Sequence, residues 1–290
     1  MKSVKVQCPA KINLDLKVIN KREDGFHNIE SIMQTISLYD YLTISITSSS
    51  HTSILLSGTS DEIPYDERNL VYKAAKLFLD SVNVENVAIN IYIEKNIPIA
   101  AGLAGGSTDA AAVMLAIRDL CKLEVSDEEL SQLSKQVGAD VPFCVMSQPS
   151  VVQGIGEVLE PFEVNCDCEV LLLKPYKGVS TKECFESIQF NNCIHPNVLE
   201  VKRCLEEDDF DALSKCVGNT LEEPACKLVP EIKTAKQYLI DLGFEVVCMS
   251  GSGSTIFALT RQPELIEKVF NDEEYSDWFR YKCRILKKFK

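Results

Sequence analysis

The chain has 290 residues and a formal net charge of −13 at pH 7, with 46% hydrophobic and 25% charged residues. This length exceeds the size at which one hydrophobic core usually stops growing, so two lobes are expected. The negative charge disfavours nucleic-acid binding, which needs a basic face. A phosphorylated ligand stays compatible with it, because Mg²⁺, a few lysines and backbone N–H groups can hold one locally.

The sequence also predicts a cytoplasmic protein with no membrane partner. No apolar run approaches the roughly 18 to 20 residues that cross a bilayer. The first ten residues lack a charged region followed by an apolar signal core. The 12 cysteines are scattered, and no CxxC repeats stand beside histidines, so neither a zinc site nor a disulfide framework is predicted.

Alternating hydrophobic residues predict that the first half opens with strands, at 4–6, 14–18, 42–46 and 87–93. Helices are predicted at 108–120 and 127–137. The second has a capping box, formed by Ser126 and Glu129, and Gly138 ends it.

The second half mixes strands and helices without a regular βαβ repeat. Strands are predicted at 170–173, 244–249 and 255–259, and a helix at 231–242 between Pro230 and Gly243. The fold class is therefore α+β in two lobes, which we assign to residues 1–154 and 155–290.

The most informative segment is a glycine-rich loop between a strand and an alanine-rich helix. Every residue from Ala100 to Ser107 except Leu103 is Gly, Ala or Ser. Small residues let backbone N–H groups approach a ligand, and the following helix N-terminus adds unpaired donors, so the loop predicts a phosphate site. The alternative is a tight connection with small residues for packing, since neither GxxxxGK[ST] nor GxGxxG is present. The sequence predicts that the hydroxyl of Ser107 or Thr108 caps the following helix; the alternative is that one of these hydroxyls binds Mg²⁺.

Polar residues in two further segments are candidates for catalysis. Lys11 and Asn13 lie on one face of a predicted strand, although Lys11 alone is also compatible with a surface lysine. Asp140 follows a helix end and precedes Pro142, which we expect to open a strand; a simple turn residue is the alternative.

Two loops are candidates for ligand binding. Phe26 and His27 end a polar turn, and a flat ring beside an imidazole suits a heterocycle, although a loop histidine needs no function. The segment 250–255, with two glycines and four hydroxyls, is either a hairpin turn or a second ligand loop.

In this order, the segments PAKINL, DGFH, IPIAAGLAGGSTDAAA, GADVPF and SGSGST resemble the superfamily of galacto-, homoserine, mevalonate and phosphomevalonate kinases (GHMP kinases). Within it, PAKINL, DGFH and GADVPF resemble the family that phosphorylates 4-diphosphocytidyl-2-C-methyl-D-erythritol in non-mevalonate isoprenoid biosynthesis. The resemblance implies a first lobe with a left-handed βαβ crossover of the ribosomal protein S5 type, and a ferredoxin-like second lobe. It also implies ATP and Mg²⁺ as cofactors, this small molecule as the substrate, and a monomer or homodimer.

The resemblance also implies roles for individual residues. Asp140 would be the general base, Lys11 would keep it ionised and stabilise the migrating charge, and no residue is assigned as a metal ligand. The implied ATP-binding residues are Asn69, Lys95, Pro98, Ile99, Ala100, Ala101, Gly102, Leu103, Ala104, Gly105, Gly106, Ser107 and Thr108. The implied substrate-binding residues are Asn13, Phe26, His27, Phe185, Gly251, Ser252 and Gly253.

Overall fold

The computed structural model describes residues 1–191, 193–287 and 289. The strands are β1 (Lys2–Lys21), β2 (His27–Ser48), β3 (Ser53–Gly58), β4 (Val87–Glu94), β5 (Ser150–Gly154), β6 (Val158–Pro161), β7 (Glu169–Lys174), β8 (Val246–Met249), β9 (Ile256–Thr260) and β10 (Phe279–Arg284). The helices are α1 (Leu70–Ser81), α2 (Gly105–Cys121), α3 (Asp127–Ser134), α4 (Val141–Met146), α5 (Thr181–Glu186), α6 (Val198–Glu207), α7 (Phe210–Cys216), α8 (Glu222–Leu228), α9 (Glu231–Asp241) and α10 (Pro263–Asn271).

The chain forms two compact units. The first unit contains Met1–Ala10, Leu38–Pro98 and Ala104–Ser147. The second unit contains Lys11–Ser37, Ile99–Leu103 and Gln148–Lys290. Each unit is therefore assembled from segments that lie far apart in the sequence.

The first unit is built on the C-terminal half of β2. This half pairs antiparallel with β4, with Ser45 opposite Asn90, and β3 lies parallel to β4 on its other side. Because α1 connects the parallel strands β3 and β4, these three elements form a βαβ unit. Helices α1 to α4 complete the unit, and their apolar sides contribute Phe78, Val113 and Phe143 to its core.

The second unit contains a four-stranded antiparallel sheet in the order β10-β7-β9-β8. In chain order these are the fourth, first, third and second strands, with helices between β7 and β8 and between β9 and β10. That arrangement is the ferredoxin-like βαββαβ pattern. Leu171, Ile256 and Ala258 of the sheet pack with Leu239 of α9 and Ile266 of α10 in its core. The N-terminal half of β2 also belongs to this unit, where it pairs with β5.

The α+β class is confirmed, and most predicted elements are present with shifted ends. The strands predicted at 4–6 and 14–18 are a single strand, β1, of 20 residues. Residues 8–16 of β1 are all buried, polar and apolar side chains alike, so burial does not alternate between the two faces of the strand here. Helix α3 keeps its predicted capping box but ends at Ser134, and turn residues follow it to 137.

One predicted strand start is wrong. Pro142 lies in the first turn of α4, not at the beginning of a strand. Proline fits the first turn of a helix because its fixed φ angle is already helical and its missing N–H would have no partner there. In the part of the chain that the structure describes, no helix has both the length and the apolar character needed to span a bilayer.

Candidate active site

Lys11 and Asn13 form a buried polar pair on β1. The Nζ of Lys11 donates a hydrogen bond to Oδ1 of Asn13 at 2.6 Å. The exposed fraction is 4% for Lys11 and 1% for Asn13, so Lys11 is not a surface lysine. Residues two apart on a strand share a face, and the prediction that these two side chains do so is confirmed.

The Asn13 amide is held by a further set of buried hydrogen bonds in the second unit. Its Nδ2 donates to the Ser31 hydroxyl at 2.8 Å, and that hydroxyl donates to the main-chain oxygen of Asp15 at 2.5 Å. Oδ1 of Asp15 accepts from the backbone N–H of Ile32 at 2.6 Å. Burial raises the pKa of Asp15 to about 7, and the hydrogen bond from Ile32 only partly opposes this effect.

The glycine-rich loop has an unusual backbone. Ala100, Gly102 and Ala104 have φ angles of 50°, 72° and 56°, in the left-handed region. Two of the three are alanines, for which this conformation costs about 1 to 2 kcal/mol each. Strained backbone of this kind persists where surrounding contacts fix it, and it concentrates at ligand sites.

Gly102 is the point where this loop contacts the segment 250–255. A Cβ on Gly102 would overlap the carbonyl oxygen of Ser250. The Ser250 hydroxyl donates to the Gly102 carbonyl at 2.9 Å and accepts from the backbone N–H of Asn13 at 3.1 Å. The backbone N–H of Lys11 also donates to the Leu103 carbonyl, at 3.2 Å. Three distant segments of the second unit therefore meet here.

The segment 250–255 connects the antiparallel strands β8 and β9, so the hairpin interpretation is confirmed. Its hydroxyls also have partners outside the turn. Ser252 bonds to Thr181 at 2.9 Å and Ser254 donates to the Lys177 carbonyl at 2.7 Å. The Nδ2 of Asn219, which the sequence reasoning missed, donates to the Gly251 carbonyl at 2.8 Å and fixes the turn.

Helix α2 begins at Gly105, three residues earlier than predicted, within the first unit. Its N-cap is Ala104, no side chain caps it among the described residues, and its first turn carries no acidic residue. The prediction that Ser107 or Thr108 caps the helix is wrong, because both lie inside its first turn. The uncapped N–H groups and the positive end of the helix dipole suit an anion such as phosphate.

Lys95 lies in a buried cluster with two carboxylates of the first unit. Its Nζ contacts Asp40 Oδ2 and lies 3.5 Å from Asp109 Oδ2. The exposed side-chain fractions are 7% for Lys95, 0% for Asp40 and 3% for Asp109. Burial raises the pKa of Asp109 well above its usual range, although Lys95 favours the charged form. A Cβ on Gly105 would lie 2.5 Å from Lys95 Nζ, so this lysine lies directly under the first turn of α2.

Two other predicted site residues of the first unit also have local structural contacts. Asn69 is the N-cap of α1, where Oδ1 accepts from the Val71 N–H at 2.9 Å and Nδ2 donates to the Pro64 carbonyl at 2.7 Å. Asp140 precedes α4 and is half-buried, and its side chain makes no capping bond to that helix. The Asp140 carboxylate therefore does not cap the N-terminus of α4.

An aromatic cluster surrounds His27 in the second unit. The ring centroids of His27 and Phe185 are 5.0 Å apart, and Phe190, which the sequence reasoning missed, stacks at 6.3 Å. His27 is buried, whereas Phe26 is 57% exposed. Burial, together with the charge of Lys21, lowers the pKa of His27 and so favours the neutral ring. A neutral imidazole that contacts two phenyl rings forms a surface on which a planar heterocycle can stack.

Comparison with known proteins identifies the family of this chain. Residues 69–148 match the family model described as "GHMP kinases N terminal domain", and residues 201–273 match "GHMP kinases C terminal". A 4-diphosphocytidyl-2-C-methyl-D-erythritol kinase from Geobacillus thermodenitrificans is 40% identical over 92% of this chain and 91% of its own length. One from Clostridioides difficile is 41% identical over 91% of this chain and 89% of its own.

The chain belongs to the 4-diphosphocytidyl-2-C-methyl-D-erythritol kinase family of the GHMP kinases.

Solved structures agree with this family assignment. A crystal structure of 4-(cytidine 5'-diphospho)-2C-methyl-D-erythritol kinase has a TM-score of 0.80 at 31% identity, covering 97% of this chain and 99% of the other. A homoserine kinase from Cytophaga hutchinsonii has a TM-score of 0.79 at 19% identity, covering 99% of this chain and 95% of its own, which shows the shared fold. Both the GHMP kinase fold and the kinase class of this chain are therefore established.

For this GHMP kinase, we expect Lys95→Met to lower the free energy of unfolding by about 3 to 5 kcal/mol, because it leaves buried carboxylates without their counter-charge. Lys76→Met is a matched control, since Lys76 forms an exposed ion pair with Asp80 and should change stability by less than about 1 kcal/mol. Urea unfolding followed by circular dichroism measures both. Unchanged stability together with a raised KM for ATP would contradict the structural role and favour direct nucleotide contact.

Proposed function

We propose that the protein transfers the γ-phosphoryl group of ATP to the 2-hydroxyl of 4-diphosphocytidyl-2-C-methyl-D-erythritol, which yields the 2-phosphate and ADP. The observation that carries this proposal is the contact between the buried Lys11–Asn13 pair and the glycine-rich loop through the N–H of Lys11 and the carbonyl of Leu103. This contact supports a site in which the Lys11 ammonium group and the Asn13 amide act on a phosphate group bound by the loop. The family assignment supports the choice of acceptor.

The glycine-rich loop and the first turn of α2 bind the triphosphate in this proposal. The left-handed residues at 100, 102 and 104 turn successive N–H groups, and α2 adds donors that no side chain of the described residues caps. Residues 99–103 belong to the second unit, and 98 and 104–108 to the first. Asn69 and Lys95 contribute to the same nucleotide site. Asn69 caps the N-terminus of α1, and Lys95 lies under the first turn of α2.

Mg²⁺ accompanies the nucleotide. Among the residues that the structure describes, no group of three or more His, Cys, Asp or Glu side chains could hold a metal ion by itself. Mg²⁺ usually keeps phosphate oxygens and water as ligands and takes few from the protein. The Ser107 hydroxyl, in the first turn of α2, is a candidate ligand. When bound, the ion neutralises charge on the β- and γ-phosphates.

Asp140 acts as the general base that takes the proton of the 2-hydroxyl, and Lys11 stabilises the transferring charge. Asn13 orients the acceptor, and its own amide is fixed by Ser31. The cytosine is bound near His27, Phe26 and Phe185, with the turn at 251–253 beside the polyol: a Cβ on Gly251 would lie 3.4 Å from Asn13 Oδ1. The division into lobes at residue 154 and the oligomeric state stay predictions.

The direct test is ADP release by the purified protein with ATP and Mg²⁺. The acceptors are 4-diphosphocytidyl-2-C-methyl-D-erythritol and, in parallel, methylerythritol phosphate, homoserine and mevalonate. We expect release with the cytidylated alcohol alone, since the aromatic cluster at His27 has no role with the other three. Release with another alcohol would contradict the acceptor, and release with none would contradict the proposed reaction.

Asp140→Asn should lower kcat with the cytidylated alcohol by about 10²- to 10⁴-fold, as is usual when a general base is removed. The KM for ATP should stay within about threefold, because the amide keeps the size of the side chain. Asp119→Asn is the matched control: Asp119 lies in the same unit with 67% of its side chain exposed, and its variant should keep wild-type rates. Equal turnover by Asp140→Asn and the wild type would remove Asp140 from this role.

A further inference from the structure

Asp15 is a buried carboxyl group on the same face of β1 as Lys11 and Asn13. Its relative exposure is 0%. Oδ2 of Asp15 is buried without a hydrogen-bond partner among the residues that the structure describes. Burying a carboxyl group in this way costs free energy, so its presence needs an explanation.

The contact of Asp15 Oδ1 with Ile32 N, at 2.6 Å, is unusual for two paired strands. In a regular ladder a main-chain carbonyl accepts the N–H of the neighbouring strand. Here the acceptor is a side chain, so the Asp15 carboxyl fixes the distance between β1 and β2 at this position. The Asp15 carbonyl accepts from Ser31, the residue before Ile32, so Asp15 holds β2 at two adjacent points.

These two contacts set the direction of the next hydrogen bonds. Because the Ser31 hydroxyl donates to Asp15 O, it must accept from Asn13, and only the Nδ2 side of the Asn13 amide can donate to it. The Oδ1 side of that amide then faces Lys11 Nζ at 2.6 Å. With the amide reversed, two donors would face each other at Lys11. The hydrogen bond between Lys11 and Asn13 thus depends on β2 being held in place at Ser31 and Ile32.

We propose that Asp15 is a positioning residue for Lys11: its carboxyl group holds Ile32 so that Ser31 orients Asn13, and Asn13 orients the lysine ammonium. This inference rests on the proposed function, in which Lys11 stabilises the transferring phosphoryl group. Because Asp15 has a relative exposure of 0%, we expect it to act through its protein neighbours and not by contact with ATP or the acceptor. Its removal should therefore lower kcat more than it changes either KM.

The test compares variants at position 15 with the acceptor 4-diphosphocytidyl-2-C-methyl-D-erythritol. Asp15→Leu removes the acceptor oxygen and should lower kcat by about 10- to 100-fold, as small displacements of catalytic groups do, with the KM for ATP within about threefold. Asp15→Asn keeps an acceptor oxygen for Ile32 N and should recover at least half of the wild-type kcat. Leu239→Ala, in the core at α9, is the control for lost stability and should lower Tm with unchanged kcat.

Three results would overturn the proposal: full kcat in Asp15→Leu, an equal loss in Asp15→Asn, or an equal loss in Leu239→Ala. If Asp15→Leu does not fold, Ser31→Ala provides the test instead. It removes the hydroxyl that links Asp15 to Asn13 and should show the same fall in kcat.

A measurement without turnover separates this proposal from the proposed function. In protein labelled with ¹⁵N-lysine, the Nζ resonance of Lys11 is assigned with Lys11→Arg. We expect Asp15→Leu and Ser31→Ala to shift or broaden it, and Asp15→Asn and Leu239→Ala to leave it unchanged. A wild-type protein that is inactive with every alcohol overturns the proposed function, whereas an unperturbed Lys11 resonance in Asp15→Leu overturns the positioning role.

Discussion

The close approach of Gly102 to Ser250 is the contact on which the site of the second unit depends. It requires a residue without a Cβ, because a Cβ at position 102 would overlap the Ser250 carbonyl oxygen. The Ser250 hydroxyl then bonds both the Gly102 carbonyl and the N–H of Asn13. Segments from three distant parts of the sequence meet within a few ångströms, and β1 is fixed beside the glycine-rich loop as a result.

Buried ionisable groups occur near both candidate binding elements of this kinase. Lys95 lies with Asp40 and Asp109 under the first turn of α2, and Asp15 lies behind Lys11 and Asn13. Such groups lower stability relative to apolar residues, and perturbed pKa values concentrate at functional sites. In both places the buried groups hold backbone or side chains that the proposed reaction uses. The protein therefore gives up some stability to keep these elements in one orientation.

Much of the site could be predicted from the sequence where the pattern is local. The two-residue spacing of Lys11 and Asn13 on a strand was sufficient to predict that their side chains share a face. The phosphate site in the glycine-rich loop stays a prediction, and the left-handed backbone at three of its residues agrees with it. The roles of Asp15, Phe190 and Asn219 could not be found in this way. Each role depends on burial or on a partner far away in the chain, as in the bond from Asn219 to Gly251. Neither burial nor a distant partner produces a periodic pattern in the sequence.

Element ends were predicted less well for two physical reasons. Pro142 fits a strand start and a helix start equally well from its own chemistry, and only the following turn decides that α4 forms. Helix α2 starts at Gly105 because Ala104 takes a left-handed conformation that alanine rarely adopts. No local rule predicts that conformation, since the surrounding contacts impose it.

The most direct measurement of the central claim is the Tm and kcat of Gly102→Ala beside Gly243→Ala. Gly243 also has a positive φ, of 102°, but a Cβ there meets no atom within 4 Å, so its variant isolates the conformational cost of about 1 to 2 kcal/mol. We predict that Gly102→Ala lowers Tm well beyond Gly243→Ala and abolishes turnover in the fraction that stays folded. Equal Tm values for the two variants, with wild-type turnover in both, would contradict the view that the Gly102–Ser250 contact holds the site together.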